Sequence, residues 1–174
     1  MKSTLEKYSN HFVFRAILLV ILYFSFYYSP GLQVVNAFLT ENTADAAAWV
    51  IKNVLRMQAS VSEIDAGYKW HVYSPTSDGV KIAHPCNAFE LYCLYIGFIV
   101  AISGVATQRK LQFAIFGTFG IYVFNVLRVV GLFVISGRWP QFFDFMHKYL
   151  FQTSAYVLMF ALWYFMLNNR KREI

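Results

Sequence analysis

Three residues in this chain bring together the side-chain chemistry of acyl transfer. Cys86 stands between Pro85 and Asn87, Arg128 three residues after Asn125, and His147 between Met146 and Lys148. A cysteine attacks a carbonyl as its thiolate, and an ordinary thiol titrates at about 8.5. A helix N-terminus and a nearby guanidinium both favour the anion. An imidazole accepts the thiol proton and returns it to a leaving amine. A guanidinium is always charged and offers several donors, so it suits the oxyanion of a tetrahedral intermediate.

Each group also has a plainer reading. A free cysteine is commonly a small buried hydrophobe, which suits Cys93. A charge within an apolar run costs about 2.5–3.5 kcal/mol on insertion scales, so Arg128 calls for a function. Its plain alternative is snorkelling to the interface, yet Val129–Ile135 still follow it. His147 beside Lys148 would by itself be a solvated side chain. The weight lies in three separate apolar runs carrying a thiol, a guanidinium and an imidazole to one level. Supporting residues follow from spacing. Asn125 shares the helix face of Arg128. Glu90, four residues after Cys86, is expected to pair with Arg128, and Asp144 to orient His147. His84 and His71 are rival bases. Arg138 beside Trp139 rivals Arg128 but suits an interfacial anchor.

The elements that must position these groups are read from composition. Of 174 residues, 58% are hydrophobic, 20% aromatic and only 14% charged, against about a quarter charged in soluble domains. A chain this short cannot hide so much apolar surface in one water-soluble core. That excludes an ordinary cytosolic enzyme, a disordered chain and a disulfide scaffold. The net charge of +6 sits at the flanks of apolar runs, so no nucleic-acid partner is expected. Cys86 and Cys93 form no CxxC pair, and no metal or cofactor is expected.

Four apolar runs, about 12–28, 86–106, 111–135 and 149–167, are each long enough to cross a bilayer as helices. The fold class is therefore all-α integral membrane, a single domain over 1–174 with four transmembrane helices. Lys2, Lys7, Arg15, Arg109, Lys110 and Arg170–Arg172 place both termini and the 107–110 loop in the cytoplasm. The segment 30–85 then faces outward. Within it, Ala46–Met57 suits an amphipathic helix on the outer membrane surface, its apolar face being Ala47, Val50, Ile51 and Val54. Tyr68–Val72 and Val80–Ile82 alternate like a small β-hairpin with its turn at Asp78–Gly79.

Cys86-Asn-Ala at the start of one span, Asn125-x-x-Arg128-Val near the outer end of the next and His147 before the last carry a family resemblance. Over about Cys86–Leu167 the chain resembles the exosortase/archaeosortase family of integral-membrane cysteine transpeptidases. The resemblance implies a Cys–Arg–His set at Cys86, Arg128 and His147. It implies exported protein substrates ending in a short motif, a transmembrane helix and a basic cluster, cleaved at the outer face of the cytoplasmic membrane. A thioester would form and pass to an amine, a lipid-linked acceptor or water. Two departures stand out. Typical exosortases are longer, and Ala88 stands where glycine is frequent. The rival class is a non-catalytic membrane assembly or lipid-binding protein, with Arg128 on a lipid phosphate. Intramembrane serine, aspartyl and metalloproteases lack their motifs here.

Overall fold

The computed structural model describes residues 13–21, 23, 29–65, 68–75 and 77–168. Its described elements run α1 (residues 13–21), α2 (Pro30–Asn53), β1 (Ser60–Asp65), β2 (Lys69–Ser74), β3 (Ser77–Ala83), α3 (Phe89–Ala101), α4 (Thr107–Arg138) and α5 (Pro140–Asn168). Most of the chain is helical, and the family of lengths differs from the hydropathy runs. The helices α4 and α5, of 32 and 29 residues, are long and apolar enough to cross a membrane. The first expected span is described only as α1 and residue 23; its remainder lies outside the described residues.

The second expected span, 86–106, is helical only over the 13 residues of α3. That is about 20 Å of helix, short of a hydrocarbon core of about 30 Å. Backbone conformation explains both ends. Ala88 takes φ 66° and ψ 13°, a left-handed geometry that cannot continue a helix backwards. Ile102 is extended and Gly104 takes φ 77°, which turns the chain into α4.

The segment between α1 and α3 is a folded layer. The amphipathic stretch expected at Ala46–Met57 belongs to a longer helix, α2, capped by Ser29 and opened by Pro30. Its Ala44, Ala47, Ala48 and Ile51 are buried, Val50 is half-buried and Val54 is exposed. This face packs on α4 and the sheet, not on a lipid surface alone. The expected hairpin is a three-stranded antiparallel sheet in the order β1-β2-β3. Val72 pairs with Val80 and Trp70 with Ile82, so one face of β2 and β3 is apolar and faces α2 and α4. Asp78–Gly79 is not the turn. Both lie inside β3, where Gly79 takes φ 69° close to an irregularity in the β2–β3 register.

Two apolar cores therefore stack along α4. One joins Tyr95 and Ile99 of α3 to Ile121 of α4 and Met159, Trp163 and Met166 of α5. In it Tyr95 donates to the carbonyl of Phe113 at 2.7 Å, and its ring fills the space a Cβ at Gly117 would need. The other joins α2, the sheet and Val126, Val129, Val130, Leu132 and Phe133 of α4. The lipid-type exposed residues of α4 are Leu111, Ile115, Phe116, Phe119, Val123 and Leu127. From Arg128 to Ser136 the helix has no exposed residue, and Ser136 meets Ser77 of β3 at 3.0 Å.

Candidate active site

The two cores meet at the level of Arg128, and the three chemically suited residues converge there. After β3 ends at Ala83, a single 3-10 turn, His84–Cys86, carries the thiol. Cys86 thus precedes the first residue of α3 rather than opening that helix, because the left-handed Ala88 interrupts it. A helix dipole fades beyond the terminal turn, so the groups on α4 and α5 matter more to the thiol.

Those groups are close. Cys86 Sγ lies 3.8 Å from His147 Nε2. Arg128 Nη2 lies 3.5 Å from the same nitrogen, and Arg128 Nη1 donates to Asn125 Oδ1 at 3.4 Å. Asn125 is buried, and its Nδ2 and the Nε of Arg128 have no hydrogen-bond partner among the described residues. Buried donors without acceptors are costly, and a substrate carbonyl would satisfy them.

His147 was expected just ahead of the last span. It lies within α5, in a π-helical turn over Met146–Leu150. Such a turn inserts one extra residue and re-aims the side chains around it. The imidazole stacks at 6.0 Å on Phe143, one turn earlier. The approach of α5 to α4 here depends on Gly131, one turn after Arg128. A Cβ at that position would lie 2.9 Å from Phe151 Cζ.

Two supporting expectations are corrected. Glu90 is exposed in the first turn of α3 and makes no ion pair with Arg128. Asp144 is paired at 3.8 Å with Lys148, both well exposed, and does not orient His147. The α5 helix places Asp144 and Lys148 one turn apart on a solvated face, away from the imidazole. The rival bases are engaged elsewhere. His84 is buried with its ring 4.4 Å from that of Tyr68, and His71 Nε2 meets the carbonyl of Asp78. Arg138 is exposed at the end of α4, about 15 Å beyond Arg128 along the helix. Both cysteines are free.

Burial by itself would push the Cys86 thiol up. The hydrogen bond with His147, the Arg128 and His147 charges and a backbone hydrogen bond at Ala83 together outweigh it, and the thiol is held below its ordinary value. No group of three or more His, Cys, Asp or Glu residues able to hold a metal occurs among the described residues.

Three further residues at the site were not among the candidates drawn from the sequence. Asn87, Asn36 and Thr40 form a buried polar knot beneath the thiol turn. Asn36 and Thr40 are four apart on α2, an i,i+4 polar pair on an otherwise buried face, and that pattern was the available signal.

The opposite end of the bundle is basic. Arg15 donates to Ser103 Oγ at 3.0 Å, Lys110 to the Ile102 carbonyl, and Arg109 lies 5.6 Å over the Phe113 ring. From Arg109 to Arg128 the α4 helix rises about 28 Å, close to one hydrocarbon thickness. A family model described as transmembrane exosortase matches residues 8–169. No curated protein and no solved structure matches.

Proposed function

The chain belongs to the transmembrane exosortase family, and from that premise we propose that it is a membrane-embedded cysteine transpeptidase in which Cys86, Arg128 and His147 act together. The observation that carries this reading is that Cys86 Sγ and Arg128 Nη2 address the same atom, His147 Nε2.

One nitrogen offers either one lone pair or one hydrogen. With its proton on Nδ1, His147 accepts at Nε2 and can take the Cys86 proton. Once Nε2 is protonated it faces the thiolate, and the Arg128 N–H beside it loses its acceptor. That donor is then free for a new oxygen. The thiolate attacks the substrate carbonyl carbon, and the oxyanion that forms takes the N–H groups of Arg128. His147 returns the proton to the departing amine as the carbon–nitrogen bond breaks. The thioester left on Cys86 passes its acyl group to an amine, a lipid-linked acceptor or water.

The substrates proposed are exported proteins ending in a short motif, a transmembrane helix and a basic cluster. The separation of about 28 Å between Arg109 and Arg128 supports this. A substrate helix whose basic cluster stays at the Arg109 level would present its motif at the thiol. The site would then face outward on the cytoplasmic membrane, with both chain termini inside. The rival reading, a guanidinium on a lipid phosphate, gives the Cys86–His147 contact no role. The test is immunoblotting of a cognate substrate for precursor and mature forms. Cys86→Ala should leave only precursor, whereas Cys93→Ala should retain most processing. Normal maturation in Cys86→Ala cells would end the cysteine-enzyme reading.

A further inference from the structure

We infer that Asn87, Asn36 and Thr40 are positioning residues that hold the Cys86 thiol against His147, with α2 as the fixed support. This rests on the reading of Cys86 as the nucleophile. The thiol turn has little structure of its own. Its internal backbone bond is Asn87 N–H to the His84 carbonyl at 3.2 Å, and helix resumes only at Phe89. The relation of the thiol to a base on α5 must therefore be set from outside the turn.

The side chain next to the thiol supplies that tie. Asn87, Asn36 and Thr40 are 1%, 2% and 0% exposed. Asn87 Oδ1 accepts from the Phe89 N–H at 2.9 Å, which fixes the start of α3. Its Nδ2 donates to Thr40 Oγ1 at 2.9 Å and to the Asn36 carbonyl at 2.8 Å, and also meets Asn36 Oδ1. The Thr40 hydroxyl donates in turn to the Asn36 carbonyl at 2.8 Å. Thr40 thus accepts and donates at once, a pairing only a hydroxyl provides here. A buried network that ties an amide and a hydroxyl to the helix backbone in this way is rigid. Its support is rigid too, since Ala44, Ala47, Ala48 and Ile51 fasten α2 to α4 and the sheet.

The charged and titratable groups around Cys86 are His147 on α5, Arg128 on α4, His84 on its own turn and the exposed Glu90 on α3. The knot on α2 is uncharged. A change in the thiol's titration on altering Thr40 therefore reports displacement, not a lost charge.

The experiment measures iodoacetamide labelling of Cys86 against pH in the full-length protein in membranes, in a Cys93→Ala background. Thr40→Val should raise the apparent thiol midpoint by about one unit, making labelling near neutral pH about tenfold slower. Thr40→Ser, which keeps the hydroxyl, should restore the parental profile. Thr43→Val removes another buried α2 hydroxyl that has no partner among the described residues, and it should leave the midpoint in place. Asn36→Ala spares the backbone acceptor and should shift the midpoint the same way by less, which serves if Thr40→Val accumulates poorly. A parental midpoint in folded Thr40→Val and Asn36→Ala proteins would overturn the positioning role while leaving the nucleophile standing. A parental thiol that titrates like an ordinary one would overturn both.

Discussion

Replacing His147 with glutamine should raise the titration midpoint of the Cys86 thiol. The side chain at 147 keeps a hydrogen-bonding amide but loses the capacity for charge. In the parent, burial raises the thiol while His147 and Arg128 lower it, and the lowering side prevails. A thiolate–imidazolium pair at the observed 3.8 Å is worth about 4 kcal/mol at an effective dielectric near 20. At about 1.4 kcal/mol per unit that is a ceiling of roughly three units. Partial solvent access at His147 brings the expected rise to about one to two units. Burial of the turn is unchanged by the substitution and is then opposed by Arg128 and the Ala83 backbone hydrogen bond without His147, so the midpoint should rise. The sign follows directly. The parent holds thiolate at pH values where the variant holds thiol, so the rate advantage of the parent is greatest below the variant's midpoint and closes at alkaline pH. The assay is the pH profile of iodoacetamide labelling in the Cys93→Ala background, with folded protein judged by thermal stability. A His147→Gln midpoint equal to the parental one would overturn this prediction, because the observed contact would then carry no electrostatic weight.

Arg128→Lys should keep the local charge and leave the thiol profile close to parental, yet lower substrate processing by about 10²–10³ because one ammonium cannot serve both Asn125 and an oxyanion. Arg138→Lys at matched abundance should process normally, and loss there with retention in Arg128→Lys would move the anion-binding role to Arg138. Reporter fusions at Asp78 and Gln108 should read outside and inside the cytoplasmic membrane; an inside reading at Asp78 would invert the orientation. Ala88→Gly should raise thermal stability, because a left-handed alanine costs about 1–2 kcal/mol and the greater freedom of unfolded glycine offsets only part of that. A fall in melting temperature for Ala88→Gly would mean that the alanine methyl contributes packing worth more than the strain.

Residue chemistry along the chain was enough to single out Cys86, Arg128 and His147, since a thiol, a guanidinium and an imidazole in otherwise apolar runs are costly or conspicuous whatever the fold. Composition was likewise enough for a mostly helical membrane protein with a small β element, because hydrophobic length and strand alternation are local properties. Other features depended on contacts far apart in sequence. Glu90 and Asp144 have the spacing to meet Arg128 and His147, yet spacing alone says nothing of how a helix is rotated, and both carboxylates are exposed and pair with neither. The left-handed Ala88 shortens the second apolar run to 13 helical residues, a backbone choice that hydropathy cannot register. Val129–Phe133 read as membrane-spanning by composition, but α2 and the sheet cover them, since protein and lipid bury an apolar side chain equally well. Only the tertiary structure brought Asn36 and Thr40, some fifty residues before the thiol turn, beneath Asn87. A buried amide needs partners, and which chain segment supplies them is decided by packing rather than by neighbours in sequence.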